Sequence, residues 1–157
     1  MCQLPDKLQL QTRIGTDIAN ACVHEASQYT RNQFRGYQEK YPNVDKRTGE
    51  LCFYNCHGLV FGSRRTWIED ASEVDKILRE DGYLKVLERD IKLGDILIYK
   101  DADNGDVSHS AVVVEMPTAA DYGIPRVLSK WSSYCEIIHR ANYGPYSYAN
   151  SEYYRIM

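Results

Sequence analysis

The chain has 157 residues, 43% of them hydrophobic, which is enough to bury one core and too few for two domains of ordinary size. Its net charge of -3 gives no indication of a protein that is attracted electrostatically to nucleic acid or to anionic lipid. No apolar run approaches the ~18 residues that cross a bilayer, and the first residues lack the basic-then-apolar order of a secretory signal. We therefore expect one domain over residues 1–157, cytoplasmic as written or delivered as an effector, with no nucleic-acid or membrane partner.

Cysteine and tyrosine are the two unusual residue types. The five cysteines, at positions 2, 22, 52, 56 and 135, are odd in number and irregularly spaced, so they do not form a disulfide framework. At least one thiol is predicted to be free. Many of the 13 tyrosines lie in the last sixteen residues, where we expect them to pack an edge of a sheet or to form a binding platform.

Helices are predicted in the first half of the chain. Residues 16–33 repeat apolar side chains every three or four positions, and Thr16 and Asp17 provide a start signal. A polar link follows Gly36, so residues 1–45 are predicted to form a helical N-terminal part. A further helix is predicted to take Ser72 as its N-cap and to end at Gly82.

From residue 96 onward the pattern changes to short runs that are rich in β-branched and aromatic residues. The predicted strands cover residues 96–99, 111–114, 126–131, 135–139 and 152–156. Helices followed by strands predict an α+β domain, with helices at one side of an antiparallel sheet of about five strands. Residues 50–157 are then predicted to form the catalytic helix and the antiparallel sheet.

Three short motifs carry the chemistry, and their order matters more than any one of them. They are Asn-Cys-His-Gly-Leu-Val at residues 55–60, Leu-Gly-Asp-Ile-Leu-Ile-Tyr at 93–99 and Ser-His-Ser-Ala-Val-Val-Val at 108–114. The first places Cys56 at the start of a short helix, where backbone N–H groups favour thiolate over thiol. The third places His109 at the start of a strand. An imidazole facing that thiol would take its proton and then protonate a leaving group, so the pattern predicts a Cys56 nucleophile with His109 as base and acid.

These motifs, over roughly residues 55–131, resemble those of the NlpC-type cell-wall peptidases and their papain-like relatives, the CHAP amidases. The resemblance implies a papain-like fold, in which N-terminal helices pack on the antiparallel sheet, with Cys56 as nucleophile and His109 as base. It also implies hydrolysis of amide bonds in a peptide or peptidoglycan-like substrate, without metal or cofactor. The resemblance thus predicts a cysteine peptidase or amidase, a hydrolase that acts through a thioester.

The chain departs from the family pattern around both catalytic residues. Asn55 and His57 stand where the peptidases usually have Asp and Ser. The third polar residue, which orients the catalytic histidine, corresponds to about Ser129, and His139 on the next strand competes for that role. We expect His57, Trp131 and His139 to contact substrate, although His57 could also be a surface or capping residue, Trp131 a core residue and His139 a buried strand residue.

Other interpretations of the same residues stay open. Cys56 could be a buried thiol that packs as a small hydrophobe. Zinc could be bound by Cys52, Cys56, His57 and His109, but Cys-x3-Cys-His is not a strong zinc spacing. The chain could instead be a noncatalytic module that binds a partner through its tyrosine-rich end. The same cysteine and histidine could also catalyse deamidation or acyl transfer, because these reactions proceed through the same thioester intermediate.

Overall fold

A computed structural model describes residues 6–157, which form a seven-stranded antiparallel sheet and three short helices. The strand order is β1-β6-β5-β4-β3-β7-β2. The helices are α1 (Gln28–Lys40), α2 (Cys56–Phe61) and α3 (Ala71–Glu80). The strands are β1 (Asp45–Lys46), β2 (Tyr83–Val86), β3 (Ile96–Lys100), β4 (Val107–Glu115), β5 (Arg126–Trp131), β6 (Cys135–Arg140) and β7 (Glu152–Ile156).

The predicted papain-like fold, with N-terminal helices packed on about five strands, is wrong. The sheet has seven strands, and α2 and α3 follow β1 in the chain. The helices also cover both faces of the sheet, because Phe34 of α1 packs with Ile137 while Leu59 of α2 packs with Leu128 and Ile138. Neighbouring residues of one strand point to opposite faces, so Ile137 and Ile138 place α1 and α2 on different sides.

The predicted helix over residues 16–33 is wrong for residues 16–27, whereas residues 28–33 belong to α1, which is the helix found within the N-terminal part over residues 1–45. Residues 1–5 lie outside the described structure. A turn closed by the Thr12 and Thr16 backbones, with Gly15 at φ 86°, opens the segment, and Ala21 then pairs with Trp67 as an isolated bridge. Ile18 reaches the core from extended backbone. The helical spacing of apolar residues is present, but pairing with distant chain decides the conformation.

The predicted strands agree closely with the structure. Strands β5 and β7 have the predicted bounds, while β3, β4 and β6 extend beyond theirs. The two-residue β1, with both residues exposed, and the edge strand β2 were not predicted. Helix α3 takes Asp70 as its N-cap instead of Ser72, because the Asp70 carboxylate accepts from both the backbone N–H and the hydroxyl of Ser72.

Two large apolar clusters lie on opposite faces of the sheet. On the α3 side, Ile96 and Ile98 of β3 pack with Val74 and Ile77 of α3. On the opposite face, Leu97 and Tyr99 of the same strand pack with neighbouring strands and with the segment after β6. Alternate residues of one buried strand thus enter different clusters. Within residues 6–157, no helix has the length and apolar character required to cross a membrane.

Candidate functional site

The buried side chain of Asn55 builds the start of α2 and thereby fixes the backbone at Cys56. Its Oδ1 accepts from the backbone N–H of Gly58 at 2.8 Å and of Ile68 at 3.1 Å, and its Nδ2 donates to the Ile68 carbonyl at 2.8 Å. An aspartate could make the first two bonds but has no donor for the third. The local geometry therefore explains why this chain has asparagine at this position, where the NlpC-type motif that the sequence resembles has aspartate.

We expect Asn55→Ala to lower the free energy of unfolding by about 2 to 3 kcal/mol, because it removes a helix cap and leaves the buried Ile68 amide and carbonyl without partners. The matched control is Ser27→Ala, which removes the exposed N-cap of α1 and should cost about 1 kcal/mol. Urea unfolding of both variants measures the difference. Equal losses would mean that Asn55 acts as an ordinary cap and does not tie α2 to Ile68.

Cys56 is the first residue of α2 and is partly buried. Burial of the thiol raises its pKa to about 11, and polar groups of Ser110 and the His57 backbone only partly offset this effect. The expected stabilisation of thiolate at the helix start is thus outweighed, since a helix of six residues has few aligned peptide dipoles. In the resting protein Cys56 is a neutral thiol. The four described cysteines are all free, so the prediction of at least one free thiol is confirmed, while Cys2 lies outside the described residues.

A direct hydrogen bond ties the first turn of α2 to β4. The His57 Nδ1 and the Ser110 Oγ lie 2.7 Å apart, and both residues are buried. Each is the chain neighbour of a predicted catalytic residue, Cys56 on one side and His109 on the other. His57 is thus a buried tether between the two elements, and its contact with substrate stays a prediction. Burial lowers the pKa of His57 to about 4, so its imidazole is neutral near pH 7.

The imidazole of His109 is completely buried, and neither ring nitrogen has a hydrogen-bond partner. It stacks on the ring of Tyr146, with centroids 3.5 Å apart and planes 5° apart, and Tyr99 lies at 5.3 Å on a tilted plane. Since strand side chains alternate, His109 points away from the face on which Ser110 meets α2. The structure contains no hydrogen bond between Cys56 and His109, although it brings their backbones together.

An unpartnered buried imidazole is costly, because its nitrogens lose water without gaining protein partners. Burial holds the pKa of His109 well below its ordinary value, and the nearby His139 and His57 add to this shift. His109 is therefore neutral near pH 7, with one bare nitrogen that can take a proton. Few buried polar groups in folded proteins lack partners, so this one is a candidate for a role in chemistry.

Ser129 and His139 form a separate buried pair. The Ser129 Oγ lies 2.7 Å from the His139 Nε2, while the His139 Nδ1 lies 2.9 Å from the carbonyl oxygens of both Arg140 and Tyr143. Carbonyl oxygens only accept, so Nδ1 carries the proton, and in the neutral ring Nε2 must accept from the Ser129 hydroxyl. Burial lowers the pKa of His139 to about 4, which keeps the ring neutral. Ser129 thus donates to His139 and makes no hydrogen bond to His109, so its role as the third catalytic residue stays a prediction.

Trp131 lies in the aromatic core beside α1. It is completely buried and packs edge-on against Tyr37 and Tyr41, with His139 at 5.2 Å. The structure therefore gives Trp131 the position of a core residue, and any contact with substrate stays a prediction. His139 likewise occupies a buried strand position.

A buried charged cluster supports the segment before Cys56, and no pattern in the sequence predicted it. Lys130, almost completely buried, donates to the carbonyls of Leu51 and Tyr54 and lies 3.4 Å from the centre of the Tyr54 ring. Glu136 accepts from the Tyr54 hydroxyl at 2.7 Å and pairs with two arginines, Arg47 and Arg64. Opposite charges at equivalent positions of β5 and β6 thus hold the residues that lead into α2.

The tyrosines at the C-terminal end pack against the domain. Tyr153 is buried, and the partly buried Tyr146, Tyr148 and Tyr154 pack against the apolar clusters, which confirms the interpretation as sheet packing. The binding-platform interpretation stays a prediction, because four of the C-terminal tyrosines keep part of their surface exposed.

Among residues 6–157, no group of three or more His, Cys, Asp or Glu side chains could hold a metal ion, so Cys52, Cys56, His57 and His109 do not come together as a ligand set.

No protein-family model matches the chain, and comparisons with curated proteins and with solved structures give no match. The resemblance to the NlpC-type peptidases thus stays a prediction that rests on the three motifs. What the site itself offers is a neutral thiol at a helix start and a neutral, unpartnered imidazole on the adjoining strand.

Proposed function

We propose that the protein is a thiol-dependent hydrolase that cleaves amide bonds through a thioester on Cys56, with His109 as general base and then general acid. The observation that carries this proposal is the hydrogen bond between His57 and Ser110, which joins the chain neighbours of the two residues. The unpartnered nitrogens of His109 add a proton acceptor that nothing else in the described structure uses.

The protonation states favour one mechanism over another. At pH 7 a thiol with a pKa of about 11 is ionised to only about one part in 10⁴, so a preformed thiolate–imidazolium pair has little population. In the proposed mechanism the thiol proton moves to His109 as sulfur attacks the carbonyl carbon, with the charge developing on the carbonyl oxygen. This transfer requires the Cys56 side chain to turn toward the imidazole, because the two groups make no hydrogen bond in the resting protein. The imidazolium then gives its proton to the leaving amine, and water releases the acyl group by the reverse sequence. No step requires a metal or a cofactor.

The substrate class follows from the resemblance of the motifs, which favours peptide amides such as those of peptidoglycan stem peptides. Deamidation and acyl transfer use the same thioester and differ in which nucleophile resolves it. The attacking thiol and the base can therefore be tested with an acyl donor that carries no recognition element.

We expect p-nitrophenyl acetate to acetylate Cys56 at pH 7, and His109→Gln to slow this step by about 10²-fold, the lower range for general-base catalysis. Stopped-flow detection of nitrophenolate gives the rate, and peptide mapping by mass spectrometry gives the site. Cys22, which is also partly buried, is the internal control thiol, and His24→Gln is the control for loss of an exposed histidine.

Acetylation of Cys22 in preference to Cys56 would contradict the assignment of the nucleophile. An unchanged Cys56 rate in His109→Gln would contradict the assignment of the base. If both assignments hold, the next step is hydrolysis of peptidoglycan fragments, with Cys56→Ala as the inactive reference.

A further inference from the structure

The motifs predict that Ser129 or His139 is the third residue of the proposed site, which would orient His109. Each of these side chains satisfies the other at 2.7 Å, and both His109 nitrogens are unpartnered. A hydrogen-bonding orienter for His109 is thus missing from the described residues. The ring plane of His109 must be held in some other way, since the second side-chain torsion of histidine has a broad rotamer preference.

The nearest aromatic ring to the His109 imidazole is that of Tyr146. The two rings are almost parallel, 5° apart, with centroids at 3.5 Å, so the phenol covers one face of the imidazole. Tyr99, the cross-strand partner of His109, contacts it on a tilted plane, and Tyr99 and Tyr146 are themselves 6.1 Å apart. Tyr146 keeps part of its surface exposed, while His109 has none.

Tyr146 is also near the thiol. Burial raises the pKa of the Tyr146 phenol, and the charge of a Cys56 thiolate is the next cause of that shift. One aromatic ring is thus stacked on the predicted base and lies within electrostatic range of the predicted nucleophile. The face of a phenol ring attracts a cation, so the same stack favours the imidazolium that forms when His109 takes a proton.

We propose that Tyr146 is the positioning residue of the site, which holds the His109 ring by stacking and stabilises its protonated form. This inference rests on the proposed function. It assigns to an aromatic face the part that a hydrogen-bonding side chain plays in the related motif. Ser129 and His139 then form a structural pair beneath the site.

The test is the rate of Cys56 acetylation by p-nitrophenyl acetate in a double-mutant cycle. We expect Tyr146→Leu to slow acetylation by about tenfold and Tyr146→Phe, which keeps the ring, to stay within about threefold of the parent. Tyr148→Leu makes the same change two residues away, at a tyrosine that bonds Tyr153, and should leave the rate unchanged. In a His109→Gln background, Tyr146→Leu should have no further effect, because the two residues act as one unit.

A purely structural role for Tyr146 predicts a different pattern, in which Tyr146→Leu slows both backgrounds equally, and that result overturns the inference. A faster rate in Tyr146→Leu also overturns it, since the ring would then be an obstacle to the base. Loss of the upfield ring-current shift of the His109 protons in Tyr146→Leu, but not in Tyr146→Phe, is the expected NMR signature of the stack. If His109→Gln alone leaves the acetylation rate unchanged, the proposed function fails and the inference fails with it. This result differs from the two above, in which His109→Gln slows acetylation and only the role of Tyr146 is contradicted.

Discussion

Replacing Gly58 with alanine is expected to lower the free energy of unfolding by about 3 kcal/mol or more, at the upper end of the effect of overpacking a core. An added Cβ would lie 1.8 Å from the carbonyl oxygen of Thr66 and 3.0 Å from the Cβ of Tyr54. The first of these atoms belongs to backbone and cannot rotate away. The first turn of α2 and the segment at Thr66 would have to separate, so Cys56 should move and its acetylation should slow as well.

Gly36→Ala is the matched control for this substitution. Gly36 lies inside α1, and an added Cβ meets no atom within 4 Å. Alanine there should stabilise the protein by about 0.5 to 1 kcal/mol, because it restricts the unfolded chain and favours helix. Urea unfolding of the two variants should thus give changes of opposite sign. A loss below about 1 kcal/mol for Gly58→Ala would show that α2 is free to shift, contrary to the tight contact with Thr66.

Acidification from about pH 6.5 to about pH 4 is expected to remove much of the stability of the fold. Burial lowers the pKa of His57 and of His139 to about 4, and holds that of His109 well below its ordinary value. Histidine in the unfolded chain has a pKa near 6.5, so between these values the unfolded state binds more protons than the native state. The free energy of unfolding must then rise with pH through this window. His57 and His139 each contribute a loss of about 3 kcal/mol by pH 4.

The measurement is the free energy of unfolding in urea at several pH values between 7.5 and 4.5. His139→Gln keeps an amide donor for the Arg140 and Tyr143 carbonyls and an acceptor for Ser129, and it cannot be protonated in this range. Its stability should therefore depend less steeply on pH than that of the parent, whereas the exposed-site variant His24→Gln should follow the parent. If the free energy of unfolding of the parent does not change with pH over this range, the conclusion that the buried histidines are neutral is contradicted.

The strands were the most predictable part of the fold. Residues 126–131 and 152–156 have the predicted bounds because β-branched and aromatic residues between turns are a local signal. The start of α2 after Asn55 was predictable for the same reason, since an asparagine caps the helix within three residues of chain. By contrast, residues 16–27 carry helical spacing yet form irregular and extended chain before α1, because Ala21 pairs with Trp67.

The candidate site divides in the same way. Cys56 at a helix start and His109 on a strand could be identified from motifs, but the pKa of the thiol could not, since it depends on how tightly other elements surround it. The pairing of Ser129 with His139 and the stack of Tyr146 on His109 join residues from different parts of the chain. Tyr146 has no spacing relation to the motifs, so no pattern in the sequence marks it.

Local sequence was enough to predict the candidate residues Cys56 and His109, the helix start at Cys56 and five of the seven strands, because each depends on neighbours within a few positions. Long-range contacts, in contrast, place helices on both faces of a seven-stranded sheet, bury Cys56 and His109 so that both are neutral, and stack Tyr146 on the imidazole. These properties follow from strand alternation, desolvation and long-range packing, which act only once the chain has folded.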